Sequence, residues 1–325
     1  MSQLFSPFTV RGLTFPSRLV MPPMVMAGQP GMEDAATAAD PVTDQRLLHY
    51  AERARGGTGL VIVEATAVEP AGRVWPGGLT AYREEDSGGL TRLVHALVAS
   101  GAVPSIQLVH GGPSSPPELV GQVLSPSAYQ PGLTALTGEK IADIQEQFVQ
   151  AAVRCVRAGF PAVEVHGAHG FLLDSFLMAE RNQRTDQYGG SPEGRRRMLV
   201  ETCAALRECV GDCTVLMCRI SPFTKLPGEV TPENLRDLVT ALAEAGVDFL
   251  DVSTDGVFKG WFDSDRTLGQ WVQEFTDLPV MVTGGVRTAE QAERVIAEGH
   301  GQFVGVATAM LRNPAWAAEA RAVLG

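Results

Sequence analysis

The chain has 325 residues, of which 45% are hydrophobic and 19% are charged, so it can build a large core. Its formal charge of −11 repels nucleic acids and anionic membranes at long range and argues against both as partners. The N-terminus MSQLFSPFTV lacks the basic start and apolar centre of a signal peptide. The sequence contains no apolar run of about 18 residues, the length that a membrane-spanning helix needs. We therefore expect a soluble, cytoplasmic protein.

Eight short runs of apolar and β-branched residues recur along the chain. Most are continuous rather than alternating, which is typical of parallel strands buried on both faces. They lie at 18–24, 59–65, 102–110, 162–167, 214–221, 247–253, 279–285 and 302–308. Helical spacings of three and four separate them, as in Ile141, Ile144, Phe148, Ala152 and Val156. The pairs Thr231-Pro232 and Asn313-Pro314 are typical of helix starts.

Eight strands with helices between them predict an α/β fold of the (β/α)8 TIM-barrel type. A doubly wound open sheet is the alternative, but it usually has fewer strands, and no GxGxxG follows the first strand here. We expect one domain over residues 1–325, with a β-hairpin cap at about 4–17. The longest connections, 111–138 and 168–192, are expected to form a lid-like loop and a loop–helix excursion.

The chain has five cysteines, an odd number, and none of them forms a CxxC pair. Cys155, Cys203 and Cys209 fall in helical patterns, whereas Cys213 and Cys218 flank a predicted strand. This usage predicts buried thiols in a reducing compartment.

Two histidines follow the fourth predicted strand, in VEVHGAHGFLLDS at 163–175. A barrel carries its chemistry at the carboxyl ends of its strands, so His166 and His169 are candidate catalytic residues. Their spacing would allow a shared metal, but a metal site needs a third ligand, and His110 and Glu64 show no metal-like spacing. A structural pair is the second interpretation. The third, which we favour, is that both imidazoles donate hydrogen bonds to one substrate oxygen and polarise a carbonyl.

Other strand ends carry groups suited to a phosphate-bearing ring. Arg219 ends an apolar strand, where an anion, an electron-rich heterocycle or a structural salt bridge would offset its charge. Gln107 can both donate and accept, as the edge of a pyrimidine-like ring requires. Gly284 and Gly285 end the seventh strand and Thr308 follows the eighth, where barrels often bind phosphate through backbone N–H groups. These residues indicate a heteroaromatic, phosphate-bearing cofactor and a two-histidine anion site.

With these motifs, the chain resembles the old yellow enzyme family of FMN-dependent NAD(P)H oxidoreductases along essentially its whole length. The matching stretches are LFSPFTVRGLTFPSRLVMPPM, HYAERARGGTGLVIVEATAV, IQLVHGG, VEVHGAHGFLLDSFL and NQRTDQYGGSPEGRRRMLVE. The resemblance implies FMN at the barrel mouth, with NADPH or NADH as the hydride donor. It also implies a small-molecule substrate of the α,β-unsaturated carbonyl type. Because self-association is common in the family, it implies a homodimer or a larger homo-oligomer.

The resemblance further implies roles for individual residues. His166 and His169 would clamp the substrate carbonyl, so that its β-carbon accepts hydride from the flavin N5. Gln107 would meet the pyrimidine edge, and Arg219 would lie near the flavin N1 and O2. The other contacts to the flavin and its phosphate would come from Pro23, Met24, Val25, Ala65, Gly284, Gly285, Ala307 and Thr308.

The chain departs from the family pattern at several of these positions. Phe171 stands where a tyrosine usually protonates the carbon next to the carbonyl, and losing a positioned general acid costs ~10²–10⁴ in rate. Val25 replaces a cysteine or threonine that tunes the flavin O4, and Ala27 replaces a substrate-facing tyrosine of one subfamily. Ala307-Thr308 replaces a Gly-Arg pair, which we expect to weaken FMN binding about ten- to a hundredfold.

The sequence leaves three functions open. The first is an FMN-dependent oxidoreductase with an unusual, apolar substrate, which reduces an enone, runs the reverse dehydrogenation or isomerises a double bond. Its proton would come from water, or from Tyr82 or Tyr129, with Tyr82 also placed near the substrate. The second is a non-redox, FMN-independent isomerase, lyase or cyclase that uses the two histidines. The third is a catalytically silent scaffold.

Overall fold

The computed structural model describes residues 2–26, 40–222 and 230–325. In chain order its strands are β1 (Phe8–Val10), β2 (Leu13–Phe15), β3 (Leu19–Met21), β4 (Leu60–Ala67), β5 (Val103–Val109), β6 (Val123–Ser125), β7 (Leu133–Ala135), β8 (Ala162–Gly167), β9 (Val215–Ile220), β10 (Phe249–Ser253), β11 (Val280–Thr283) and β12 (Phe303–Gly305). Strands β3, β4, β5 and β8 to β12 close into a parallel barrel in chain order. The predicted TIM barrel is confirmed, with one strand at each of the eight predicted runs.

The helices between these strands begin mostly at threonine or serine caps. They are α1 (Asp44–Ala54), α2 (Asp86–Ala99), α3 (Pro117–Val120), α4 (Gly138–Arg157), α5 (Leu172–Leu177), α6 (Pro192–Val210), α7 (Pro232–Glu244), α8 (Leu268–Phe275), α9 (Ala289–Ala297), α10 (Thr308–Arg312) and α11 (Trp316–Leu324). Thr231 caps α7 as predicted, because its side chain accepts the Asn234 N–H. None of the helices in the described parts of the chain is long and apolar enough to cross a membrane.

The predicted helix start at Asn313-Pro314 is wrong by two residues. The side-chain oxygen of Asn313 accepts the Ala315 N–H at 3.0 Å, which forms a local turn. This turn competes with helix formation at that point, so α11 begins only at Trp316.

The barrel interior is apolar at the amino ends of the strands and polar at their carboxyl ends. Met217 and Phe249 pack in the apolar part, together with Val10 and Phe15 of the β1–β2 hairpin. Side chains two residues apart point to the same face of a strand. The next inward positions after Met217 and Phe249 are therefore Arg219 and Asp251, and both are buried. The hairpin covers the apolar end, which leaves the opposite end for chemistry.

Outside the barrel, the helices bury the apolar faces that their spacing predicts. Leu199, Cys203, Leu206 and Val210 of α6 are all buried. All five cysteines are free, but Cys209 and Cys213 are exposed. The prediction of buried thiols is therefore wrong for these two: Cys209 lies on the outer side of α6, and Cys213 lies in the turn before β9.

The stretch RTDQYGGS joins the two long connections. Arg184 donates through Nη1 to the carbonyl oxygens of Pro126, at 3.0 Å, and Leu136, and its guanidinium pairs with Asp186. Asn182, two residues earlier, donates to the carbonyl oxygens of Phe176 and Tyr188. The connection over 111–138, which contains α3, β6 and β7, is thus held against the excursion over 168–192. This signature stretch works as a structural clamp, while lid motion of 111–138 stays a prediction.

One buried histidine of α1 makes folding sensitive to acid. Burial, and then the guanidinium groups of Arg53 and Arg46, lower the pKa of His49 to about 3. Its Nε2 atom is buried and has no hydrogen-bond partner among the described residues. A folded-state pKa below the unfolded value of about 6.5 contributes stability that is present above that pH and is lost as the pH falls toward 3.

We therefore expect His49→Gln to remove part of the acid sensitivity of the protein. Between about pH 7 and pH 5, the free energy of unfolding of the unchanged protein should fall by about 2 kcal/mol more than that of the variant. Urea unfolding at both pH values, with FMN in fixed excess, measures this difference. Parallel pH profiles of the two proteins would contradict the prediction.

Candidate active site

His166 lies near the carboxyl end of β8, in the polar part of the barrel. It is buried, with 4% of its surface exposed. It lies opposite Arg219 of β9 in the strand register. Burial, and then the charges of His169 and Arg219, hold the pKa of His166 well below its usual range. Its Nδ1 atom is buried without a hydrogen-bond partner among the described residues. His166 is therefore a neutral imidazole with one ring nitrogen available for a bound molecule.

His169 is held in an unusual backbone conformation beside this ring. Its φ is +60° and that of Gly170 is +75°, a left-handed pair that costs about 1–3 kcal/mol at the non-glycine residue. The His169 N–H donates to Ser221 Oγ at 2.8 Å, and the Gly170 N–H donates to Asp174 Oδ2 at 2.8 Å. The two imidazoles lie perpendicular, with ring centroids 5.2 Å apart. His169 Nε2 lies 3.0 Å from Ser253 Oγ.

Aromatic rings form one wall next to the histidines. The ring centroid of Phe171 lies 4.8 Å from that of His166 and 5.9 Å from that of Trp75, edge to face in both cases. Trp75 comes from the connection after β4, and sequence reasoning did not single it out. Neither the ring of Phe171 nor that of its neighbour Trp75 carries a proton of suitable acidity, so this wall cannot serve as a general acid.

A polar layer with two carboxyl groups lies below the histidines. Gln107 of β5 donates through Nε2 to Glu164 Oε1 of β8 at 2.8 Å. Arg219 Nε lies 3.1 Å from Asp251 Oδ2 of β10, an ion pair without good hydrogen-bond alignment. Glu164 and Asp251 are both fully buried. Two buried carboxylates beside one buried guanidinium would leave an uncompensated negative charge, which is very costly in the interior.

A retained proton resolves this imbalance. Burial, and then the charge of Asp251, raise the pKa of Glu164 well above its usual range. Burial raises the pKa of Asp251 to about 6, although the charge of Arg219 and then the nearby Thr283 hydroxyl oppose the rise. At neutral pH, Glu164 is therefore protonated and Asp251 is ionised beside Arg219.

The residues expected at the flavin lie after β3 and within the adjacent strand β4. Pro23, Met24 and Val25 come directly after β3 and are half-buried. Ala65 was expected after the second strand but lies within β4, where the register with β5 shifts between Val63 and Thr66. This bulge inserts one residue near the rim, a common device beside active sites.

The residues expected at the phosphate follow β11 and β12, which pair with each other. A side chain at Gly284 would lie 2.1 Å from the carbonyl oxygen of Thr254, so only glycine fits there. Beside Gly285, with φ +77°, no atom of the described residues other than its chain neighbours lies within 4 Å of the position that a Cβ would take. Ala307 precedes α10, whose first residue, Thr308, is exposed. The structure thus brings these four residues to one side of the mouth.

Among the described residues, neither Tyr82 nor Tyr129 forms a hydrogen bond or a ring contact with the two histidines. The ring of Tyr82 lies beside the guanidinium of Arg83, in the segment that enters α2, where the Ala81 carbonyl is bound by Arg154 of α4. Ala27 lies outside the described residues. Tyr129 lies in the connection after β6, near Arg181. Arg181 in turn donates to the Gly170 carbonyl oxygen at 3.2 Å.

His110, the residue directly after β5, belongs to a separate hydrogen-bond network. Its Nε2 lies 2.9 Å from Glu69, and its Nδ1 accepts the Gly112 N–H. Lys140 of α4 donates to the same Glu69 carboxylate at 3.1 Å. This network anchors the loops around the mouth, which is a structural role.

The proton that Glu164 retains generates a matched pair of predictions. Asp251→Asn removes the counter-charge of a buried guanidinium and should lower the free energy of unfolding by about 3–5 kcal/mol. Glu164→Gln replaces a neutral group by a neutral group of similar shape and should cost less than about 1 kcal/mol. Urea unfolding near pH 7 with FMN in fixed excess measures both. Equal destabilisation by the two substitutions would contradict the assignment of the retained proton to Glu164.

The side chains at the mouth fit the FMN that the resemblance implies. His166 Nδ1 is a buried polar atom without a hydrogen bond in the described parts of the chain, as expected beside a polar ligand. Arg219 and Gln107 would hold the ring from below, and the open space beside Gly285 would admit the phosphate to backbone N–H groups.

Comparisons with known proteins agree with this fit. The model of the NADH:flavin oxidoreductase / NADH oxidase family matches residues 3–324. The NADPH dehydrogenase of Geobacillus thermodenitrificans (strain NG80-2) is 36% identical over 331 residues, which cover 99% of this chain and 94% of that protein. The NADPH dehydrogenase of Geobacillus sp. (strain WCH70) is 35% identical over 333 residues, which cover 100% and 95%.

Solved structures give the same result. A structure of morphinone reductase superimposes with a TM-score of 0.83 at 25% identity and covers 99% of this chain and 90% of that one. A second, of morphinone reductase in complex with tetrahydroNAD, has the same TM-score and identity and covers 100% and 92%. The resemblance to old yellow enzyme is confirmed. The chain belongs to the NADH:flavin oxidoreductase / NADH oxidase family and is an FMN-dependent oxidoreductase that takes hydride from a nicotinamide cofactor.

Proposed function

We propose that this enzyme reduces carbon–carbon double bonds that are activated by a neighbouring carbonyl, with NADPH as the hydride donor. The observation that carries the proposal is the perpendicular pair of imidazoles at the rim of β8, one layer closer to the mouth than Gln107. Two relatives that share at least 35% of their residues with the chain are named NADPH dehydrogenase, which supports NADPH as the donor.

The two histidines would bind and polarise the carbonyl oxygen. A neutral imidazole N–H is a hydrogen-bond donor, and two donors aimed at one oxygen stabilise the negative charge that develops there. The low pKa of His166, caused first by burial, keeps this residue neutral across the physiological range. FMN supplies the redox chemistry by passing the hydride from the nicotinamide to the substrate.

The aromatic wall supports an apolar, ring-shaped substrate. Trp75 and Phe171 present faces and edges rather than charges to the region next to His166. Phe171 has no proton to give, so the carbon next to the carbonyl would take its proton from water. The same arrangement would serve the reverse dehydrogenation of a saturated ketone, since it stabilises the same developing charge.

Membership of an oxidoreductase family removes the support for a non-redox enzyme or a silent scaffold.

Cyclohexenone tests the proposal because it carries the activated double bond and little else. The purified enzyme should be yellow, NADPH should bleach it under anaerobic conditions, and cyclohexenone should restore the colour and yield cyclohexanone. Stopped-flow absorbance separates the two half-reactions. If the reduced enzyme is reoxidised by oxygen but by no enone, the proposed substrate class is wrong.

Phe171→Tyr should accelerate the second half-reaction, because it restores a phenol next to His166. A positioned general acid contributes typically 10²–10⁴-fold, and a phenol that is not fully optimised should still give about tenfold. Reoxidation by cyclohexenone should become faster, while reduction by NADPH should change little.

Phe258→Tyr serves as the matched control. Phe258 is half-buried and packs on Arg294 and His300, away from the two histidines. It should leave both half-reactions unchanged. An unchanged reoxidation rate in Phe171→Tyr would mean that the proton does not limit this step.

A further inference from the structure

We propose that Ser253 is a positioning residue for His169, and that its hydroxyl decides which edge of the imidazole faces the bound carbonyl. The inference rests on the proposed function for the identity of the bound group. The observation behind it is the 3.0 Å contact between Ser253 Oγ and His169 Nε2.

The backbone of His169 is held by hydrogen bonds that do not involve Ser253. Ser221 and Asp174 accept the backbone N–H groups of His169 and Gly170 and hold the left-handed turn. These bonds set the direction of the Cα–Cβ bond only. The terminal torsion of histidine is broad and roughly two-fold, so a hydrogen bond to a ring nitrogen bears directly on the ring orientation.

Packing against His166 does not make this choice. The two rings lie at 90° with centroids 5.2 Å apart. A half-turn of the His169 ring about its Cβ–Cγ bond keeps nearly the same shape but exchanges nitrogen and carbon positions. A hydrogen bond to a ring nitrogen distinguishes the two orientations. Ser253 supplies such a bond at Nε2.

Ser253 is well placed to hold the ring because it cannot move far. It is the last residue of β10 and pairs in register with Thr283 of β11. The next backbone N–H, that of Thr254, donates to the Thr283 carbonyl oxygen at 2.8 Å. Ser253 itself is buried, with 6% of its surface exposed. A hydroxyl both donates and accepts, so the bond persists whichever ring nitrogen carries the proton.

The test compares Ser253→Ala, which removes the hydroxyl, with Ser253→Thr, which keeps it. Cyclohexanone is the probe for equilibrium binding, since it has the carbonyl but no double bond, and its binding is followed by the change in flavin absorbance. In Ser253→Ala the His169 ring should no longer be held in the orientation that bonds the carbonyl. The Kd for cyclohexanone should therefore rise about tenfold, the effect of one lost hydrogen bond between His169 and the bound ketone. The kcat for cyclohexenone should fall by a similar factor. Ser253→Thr should restore both values toward those of the unchanged enzyme.

Ser105→Ala is the matched control. Ser105 is a buried serine of β5 whose hydroxyl contacts the sulfur of Met217, in the apolar half of the barrel. Its removal should leave the Kd, the kcat and the bound FMN unchanged. An equal loss in Ser105→Ala and Ser253→Ala would reduce the effect to general barrel stability and overturn the proposal.

A spectroscopic measurement makes the result independent of the substrate. The ¹⁵N resonances of the His169 imidazole, assigned by their loss in His169→Asn, report the protonation and bonding of each ring nitrogen. They should shift in Ser253→Ala and not in Ser105→Ala. If cyclohexenone is not reduced by the unchanged enzyme, the proposed function fails, yet these resonances still test Ser253. Identical His169 resonances in the enzyme and in Ser253→Ala would overturn the positioning role.

Discussion

One buried guanidinium facing two buried carboxyl groups governs the polar half of this barrel. Arg219 pairs with Asp251, and the protonated Glu164 is bound by Gln107, so the layer is neutral in sum. A layer with no net charge is tolerated in the interior. A layer with an extra negative charge would either take up a proton or destabilise the fold. In our proposal, the terminal nitrogens of the guanidinium would meet the flavin ring. The cofactor site and the stability of the barrel would then depend on the same pair.

Above this layer, the chain spends conformational energy to place one side chain. His169 adopts a left-handed backbone that histidine rarely takes. Ser221 after β9 and Ser253 at the end of β10 contact His169 itself, and Asp174 in α5 accepts the N–H of the next residue, Gly170. Strain of this kind persists only where the surroundings over-determine it, and it clusters at functional sites. The ring of His166 needs no such device, because the strand itself directs it inward.

The fold and the site were not equally readable from the sequence. The two histidines, Gln107 and Arg219 could be found because they lie at or near the carboxyl ends of apolar strands. A buried polar side chain there requires a hydrogen-bonding or charged partner. Glu164 and Asp251 could have been found by stepping back two residues from His166 and from Ser253, since alternate residues share the inward face. Trp75 gave no signal of its own, because it lies in a connection whose path only the folded chain defines.

By itself, the sequence determined the eight strands, their order around the barrel and which polar side chains lie near their carboxyl ends. These follow from local hydrophobic patterns and from the rule that a closed parallel barrel exposes its strand ends at one face. Only the tertiary structure decided which groups meet: that Glu64 turns to Arg46 of α1 at the bulge in β4, that Arg184 clamps two distant connections, and that Ser253 reaches His169. Such contacts join residues far apart in the chain, and their distances depend on bulges, left-handed turns and loop paths that no local pattern encodes.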